Sequence, residues 1–262
     1  MMKLKKLWYK TWGECSNPKL IFLHGFMGSH SDHLPLIQLL SKEYFCIALD
    51  LPGHGKSQKI IPDSIEEFDS LVLEILAQYK HFTLIGYSMG GRISTRLFNK
   101  VEAKSLVLIS SRIHPPNLEE KNKIYQRDLK LSKTLLEDPF TLFLKKWYGM
   151  PMFKTLFLRP EIFNDMMEKR QKEDPKALSR ILVLLSSAKY LTPPLFIKNL
   201  KKPLLYISGI EDEKYNTYSS LIHNDKKDTW LYSIQGTSHA LHIEDPIQTS
   251  QIIKQFHRYY HD

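Results

Sequence analysis

The sequence predicts an α/β fold: a mostly parallel central sheet flanked by helices, with a helical lid inserted late in the chain. Three observations predict it. Short apolar, β-rich runs recur along the chain, segments with apolar residues at helical spacing lie between them, and one long interval breaks the rhythm and reads as helical. Continuous apolar runs suit strands covered on both faces, and alternation of strand and helix is the pattern of a doubly wound sheet.

Residues 7–12 predict an antiparallel edge strand ahead of the parallel part. The parallel strands are then residues 20–24 (LIFLH), 45–50 (FCIALD), 82–87 (FTLIGY), 105–110 (SLVLIS), 204–208 (LLYIS) and 229–234 (TWLYSI). Residues 66–79 carry Phe68, Leu71, Val72, Ile75 and Leu76 at helical spacing, with Ser64 placed to cap them. Residues 89–99 and 246–260 also read as helices. The interval 112–202 contains no core strand. Its helical stretches are punctuated by Pro115, Pro116, Pro139, Pro160, Pro175, Pro193 and Pro194. The predicted organisation is a core of residues 1–111 and 203–262, with residues 112–202 as the lid.

Composition narrows the function classes. With 262 residues, 42% hydrophobic and 25% charged, the chain can bury a sizeable core and has no disordered or collagenous bias. Its start, MMKLKKLWYKTWGE, is basic. Lys10 and Glu14 break up any apolar stretch there, so no signal peptide is expected. No apolar run reaches the roughly 18 residues of a membrane span, and no membrane partner is expected. Cys15 and Cys46 are too few for a disulfide framework and have no metal-site spacing, which points to a reducing cytoplasm. The net charge of +9 comes from lysines scattered along the chain. It suits an acidic partner or substrate. Without a nucleic-acid motif it predicts no nucleic-acid binding.

The chemistry concentrates in a few loops. Gly86-Tyr87-Ser88-Met89-Gly90 joins a predicted strand to a predicted helix, the context of a nucleophile elbow. Its glycines permit a tight turn that thrusts Ser88 out at the helix N-terminus. His24-Gly25-Phe26-Met27-Gly28 closes the first parallel strand. In such a site the loop gives one backbone N–H to an oxyanion hole and the residue after the nucleophile gives the other, so Phe26 and Met89 are the candidates. His24, and His54 in Leu51-Pro52-Gly53-His54-Gly55, read as residues that order their loops. A serine needs a base, and the base needs an orienting carboxylate. After LLYIS, Glu211, Asp212 and Glu213 are all available. After TWLYSI, both His239 and His242 are.

HGFMGS, LDLPGHGKS, GYSMGGR, the GxxD of Gly209–Asp212 and GTSH together resemble the α/β-hydrolase superfamily over essentially the whole chain. Within it, GYSMGGR and the lid segments YQRDLKLSK and FLKKWYGMPMF resemble the 2-succinyl-6-hydroxy-2,4-cyclohexadiene-1-carboxylate synthases of menaquinone biosynthesis. The resemblance singles out Asp212 and His239 as partners of Ser88. It implies substrate-binding roles for Tyr87, Arg92, Arg127, Trp147 and Arg170, although MEKRQKEDP around Arg170 departs from the family's pattern. It also implies a small anionic substrate, the 5-enolpyruvyl precursor, which loses pyruvate while the triad acts as a base. No metal and no organic cofactor is required. The same triad would serve a serine carboxylic ester hydrolase equally well. One example is an enzyme acting on an acyl-carrier-protein methyl ester in biotin synthesis, for which an acidic carrier protein would be the partner.

Overall fold

The computed structural model describes residues 6–190, 192–193, 195–226 and 229–261. The basic start Met1–Lys5 and Pro194 lie outside them. Seven strands form one sheet: β1 (Tyr9–Trp12), β2 (Lys19–Leu23), β3 (Phe45–Leu49), β4 (Phe82–Tyr87), β5 (Ala103–Ile109), β6 (Leu204–Gly209) and β7 (Trp230–Ile234). Their spatial order is β1-β3-β2-β4-β5-β6-β7. The first strand pairs antiparallel with β3, and every other pairing is parallel. β2, β4, β5 and β6 are buried along nearly their whole length, which is why they read as unbroken apolar runs.

Alternate side chains serve opposite faces. Ile21 and Leu23 join the cluster that packs on α2 (Ile65–Leu76) and α3 (Met89–Leu97), and Leu20 and Phe22 join the cluster that packs on α1 (Leu34–Leu40). Ser64 caps α2 by accepting from the Glu67 N–H at 3.1 Å. From β2 the chain goes to β3 on one side, then returns to place β4 on the other. The loops after β2 and β4 therefore open into the crevice where the strand order reverses, the usual place for a ligand in an open α/β sheet.

Between β5 and β6 lie α4 (Leu118–Glu137), α5 (Phe140–Tyr148), a 3₁₀ run (Pro151–Leu158), α6 (Pro160–Arg170), α7 (Pro175–Leu184) and α8 (Phe196–Asn199). Asn117 and Glu120 form a reciprocal capping box at the start of α4. Pro139 stands at the N-cap of α5, and Pro151, Pro160 and Pro175 open the next three elements. There the missing N–H costs nothing, which explains their punctuating pattern. The chain ends with α9 (Glu213–Asp225), α10 (Leu241–Glu244) and α11 (Pro246–His261). Among the described residues, no helix is long and apolar enough to cross a membrane.

Candidate active site

The turn from β4 into α3 holds Ser88 at φ +51° and ψ −109°, a backbone conformation that a non-glycine residue adopts only under constraint. The surroundings supply that constraint. The Ser88 N–H donates to the Ile109 carbonyl at 2.9 Å, while the Ser88 carbonyl accepts from the Arg92 N–H at 3.2 Å and the Ser111 hydroxyl at 3.1 Å. A side chain at Gly90 would press into the carbonyl oxygens of Leu23 and His24, so glycine is what lets α3 start against the end of β2.

His239 reaches this serine, with its Nε2 2.9 Å from Ser88 Oγ and its Nδ1 2.6 Å from Asp212 Oδ2. Asp212 and His239 are each buried. Asp212 follows β6 and is the N-cap of α9. An Nδ1–H donated to Asp212 leaves Nε2 free to accept the Ser88 proton. The competing acids point elsewhere: Glu211 pairs with Lys154 at 2.8 Å, and Glu213 is exposed. His242 lies beneath, with its ring 4.1 Å from that of Tyr87 and neither ring nitrogen hydrogen-bonded. Burial, reinforced by His33, holds its pKa well below the ordinary value, and it touches neither Ser88 nor Asp212.

Several hydrogen bonds fix the histidine loop to the inserted segment. The His239 N–H donates to the Met152 carbonyl at 3.0 Å. Buried Glu244 accepts from the Ser238 hydroxyl at 3.0 Å, and it also meets the Thr155 hydroxyl and the Ser238 N–H.

The amides of Phe26 and Met89 have no hydrogen-bond acceptor among the described residues, as two donors reserved for an oxyanion require. His24 holds the first of these loops. Its Nδ1 is 2.8 Å from the Gly25 carbonyl, and its Nε2 accepts from the Leu51 N–H at 2.9 Å. Burial lowers its pKa and so preserves the neutral form that can accept. His54 bonds the Pro52 carbonyl at 3.0 Å, and burial lowers its pKa to about 3. Both histidines hold their loops in the way the sequence suggested.

Ser88 and His239 open into a cavity of about 160 Å³ that Tyr87, Arg92, Arg127, Trp147 and Arg170 also line. The three arginines differ. Arg92 donates to the Tyr190 carbonyl at 3.2 Å and pairs with no carboxylate among the described residues, and burial depresses its pKa. Arg127 is more than half exposed and is paired at 2.7 Å with its neighbour Asp128. Arg170 is buried and already holds Asp32 bidentately, at 2.8 and 2.7 Å, while its Nε–H donates to the Tyr148 hydroxyl at 2.8 Å. The substrate-binding role that the resemblance implies for Arg170 therefore meets a guanidinium already occupied by a carboxylate. Trp147 stacks on Phe143 at 6.0 Å and 22°, and its ring is 5.4 Å from Phe26. Buried Tyr87 has its ring 5.4 Å from His239.

Three residues escaped the sequence reading. Arg112 and Lys214 line the same cavity, and Asp32 neutralises Arg170. Arg112 and Lys214 each lie just past the carboxyl end of a parallel strand, the edge where this fold places its chemistry, and that position is a usable signal.

Known proteins agree with this architecture. The alpha/beta hydrolase fold family description matches residues 18–246. The 2-succinyl-6-hydroxy-2,4-cyclohexadiene-1-carboxylate synthase of Photorhabdus laumondii is 26% identical over 252 residues, which cover 93% of this chain and 87% of that protein. A putative synthase of the same name from Haemophilus influenzae is 26% identical over 236 residues, covering 86% and 92%. Among solved structures, MenH from S. aureus superposes with a TM-score of 0.87 at 26% identity, covering 97% of this chain and 99% of its own. A thermophilic esterase from Thermogutta terrifontis, at 20% identity and TM-score 0.80, shares the fold. With the match spanning most of the chain and the elbow, sheet order and loop positions in place, the protein belongs to the α/β-hydrolase family.

Proposed function

We propose that this enzyme is a carbon–oxygen lyase. It eliminates pyruvate from the 5-enolpyruvyl precursor to give 2-succinyl-6-hydroxy-2,4-cyclohexadiene-1-carboxylate in menaquinone biosynthesis. The observation that carries the reading is the set of cations around one activated serine: Arg92, Arg112, Arg127 and Lys214 line the cavity that Ser88 and His239 open into. A substrate with several carboxylates needs fixed cations, and a slot for a neutral acyl chain does not. We read residues 112–202 as a lid over a core made of residues 1–111 and 203–262. The unpaired Cys15 and Cys46 fit a reducing compartment, and we place the enzyme in the cytoplasm.

In this mechanism His239 takes the Ser88 proton, and the Ser88 oxygen removes a ring proton from the substrate. Asp212 holds the imidazole tautomer. Electron density moves onto the substrate's carbonyl oxygen, where the Phe26 and Met89 amides receive it. As that density returns, a ring carbon–carbon double bond forms and the bond to the enolpyruvyl oxygen breaks. The departing enolate takes the proton held by His239 and leaves as pyruvate. Trp147 gives the ring a flat apolar wall, and Arg92 takes a carboxylate.

The test is pyruvate release from the enolpyruvyl precursor, followed by coupled lactate dehydrogenase. Wild type should turn over efficiently, and Ser88→Ala should lose a factor of about 10³ or more in kcat/KM with an unchanged circular dichroism spectrum. Efficient ester turnover through an acyl–Ser88 intermediate, with no pyruvate formed, would replace the lyase by a hydrolase.

A further inference from the structure

Lys214 stands in an unfavourable place. It is the second residue of α9, where a cation opposes the positive end of the helix dipole. Its ammonium has no hydrogen bond and no ion pair among the described residues, and it lies 5.6 Å from the centre of the Tyr215 ring. The residue is exposed, but desolvation beside the cavity wall, followed by the like charges of Arg112 and Arg127, pushes its pKa down. The cation–π contact with Tyr215 and the attraction of Asp212 and Glu120 offset these costs only in part, and the side chain lines the same cavity as Ser88.

Its two cationic neighbours are only partly neutralised. Arg112 lies beyond β5 and is nearly buried, and its one ion pair among the described residues is a long one, 3.4 Å to the half-exposed Glu120. Arg127 holds Asp128 through Nε and one terminal nitrogen. On this side of the cavity, Arg112, Arg127 and Lys214 therefore stand against two paired carboxylates, Glu120 and Asp128. Such an excess is repulsive while the cavity is empty and becomes attractive when an anion enters.

We propose that Lys214 and Arg112, with Arg127 completing the ring, form an anion subsite at the cavity mouth that takes a carboxylate borne on a flexible arm of the substrate. This rests on the polyanionic-substrate reading above. It adds that one carboxylate is read by the loop after β5 and the first turn of α9, independently of Arg92. Glu120 is the internal competitor that holds Arg112 until a substrate carboxylate displaces it.

Succinate, a four-carbon dicarboxylate with no reacting group, probes the subsite without turnover. Titration calorimetry should show succinate binding to wild type. Lys214→Gln should weaken it about tenfold or more, Lys214→Arg should retain it, and Glu120→Gln should tighten it by freeing Arg112. Lys104→Gln, an exposed lysine outside the cavity, makes the same change in net charge and should leave affinity unchanged. In the lyase assay, Lys214→Gln should raise KM by a similar factor while kcat changes far less. Equal succinate affinity in wild type and Lys214→Gln overturns the subsite even if pyruvate is released normally. A Lys104→Gln enzyme as weak as Lys214→Gln also overturns it, because net charge alone would then be responsible. If no pyruvate forms and succinate binding still depends on Lys214, the subsite stands and the lyase reading falls.

Discussion

Asp32 and Arg170 form a buried pair, and its geometry sets the size of the effect expected when it is broken. Asp32 lies in the turn after β2, and Arg170 ends α6, 138 residues later. Two parallel hydrogen bonds of 2.8 and 2.7 Å join them, and their side chains are 2% and 4% exposed. Burial alone would raise the Asp32 pKa, but the Arg170 charge and hydrogen bonds outweigh it and hold the carboxyl below its ordinary 3.8. Asp32→Asn leaves a buried guanidinium without its carboxylate, and removing one partner of such a pair costs about 3–5 kcal/mol. For a chain of this size that corresponds to a fall in Tm of roughly 6–20 °C. Urea unfolding at pH 7, monitored by circular dichroism, measures the loss. Because the folded pKa is depressed, the contribution is present above the unfolded value and is lost as pH falls through the folded one. The wild-type advantage should therefore shrink in acid. Asp32→Leu combined with Arg170→Met removes both charges and should restore most of the stability, since apolar replacements of buried pairs are often neutral. A loss under about 1 kcal/mol for Asp32→Asn, or a double variant as unstable as the sum of its singles, would refute the reasoning.

Glu173 accepts from the Gly55 N–H at 2.9 Å, and burial raises its pKa from 4.5 to about 7. The folded protein thus favours the protonated form, and that stability is fully present below about 4.5 and lost as pH rises through about 7. Glu173→Gln should flatten the urea midpoint between about pH 5 and 8 and add up to about 3 kcal/mol at the upper end, whereas an unchanged slope would contradict the assignment. Gly90→Ala forces the elbow helix away from the end of β2, so it should cost about 1–3 kcal/mol and at least about tenfold in kcat/KM, read by urea unfolding and the pyruvate assay.

The parallel strands were legible because burial on both faces leaves no polar alternation to confuse them with surface segments. The elbow was legible because a strained turn restricts which residues can stand there. The helices α1 and α9 carry little comparable signal. α1 is LPLIQLL, apolar on nearly every side, and α9 is weakly amphipathic because most of it is exposed, with Tyr218 and Ile222 buried. The choice of acid was open in GIEDE, since three carboxylates stand in a row. It closes only in space, where Lys154 takes Glu211 and His239 takes Asp212. The occupation of Arg170 was illegible for the same kind of reason. A pair separated by 138 residues leaves no local pattern, and MEKRQKEDP reads as a solvated helix face until Asp32 is seen beside it.

The contacts between the inserted helices and the sheet loops are unevenly distributed, and the asymmetry bears on function. Arg170 grips the turn after β2. Glu173 grips the loop after β3, where a side chain at Gly53 would press into Ile181 of α7. Met152 and Thr155 grip the histidine loop. The first and last of these loops hold the Phe26 amide and the His239 imidazole. Electrostatic catalysis gains most when donors and base are fixed before charge develops, and fixing them requires rotamers locked by packing and by a further layer of hydrogen bonds. α4, by contrast, meets the sheet loops through the long Arg112–Glu120 pair and presents the half-exposed Arg127. In the proposed mechanism, the atoms that move protons thus sit on the tightly fastened side of the cavity. Arg112 and Arg127, which bind carboxylates in that proposal, sit on the loosely fastened side, where exchanging an internal carboxylate for a substrate's disturbs neither the base nor the oxyanion donors.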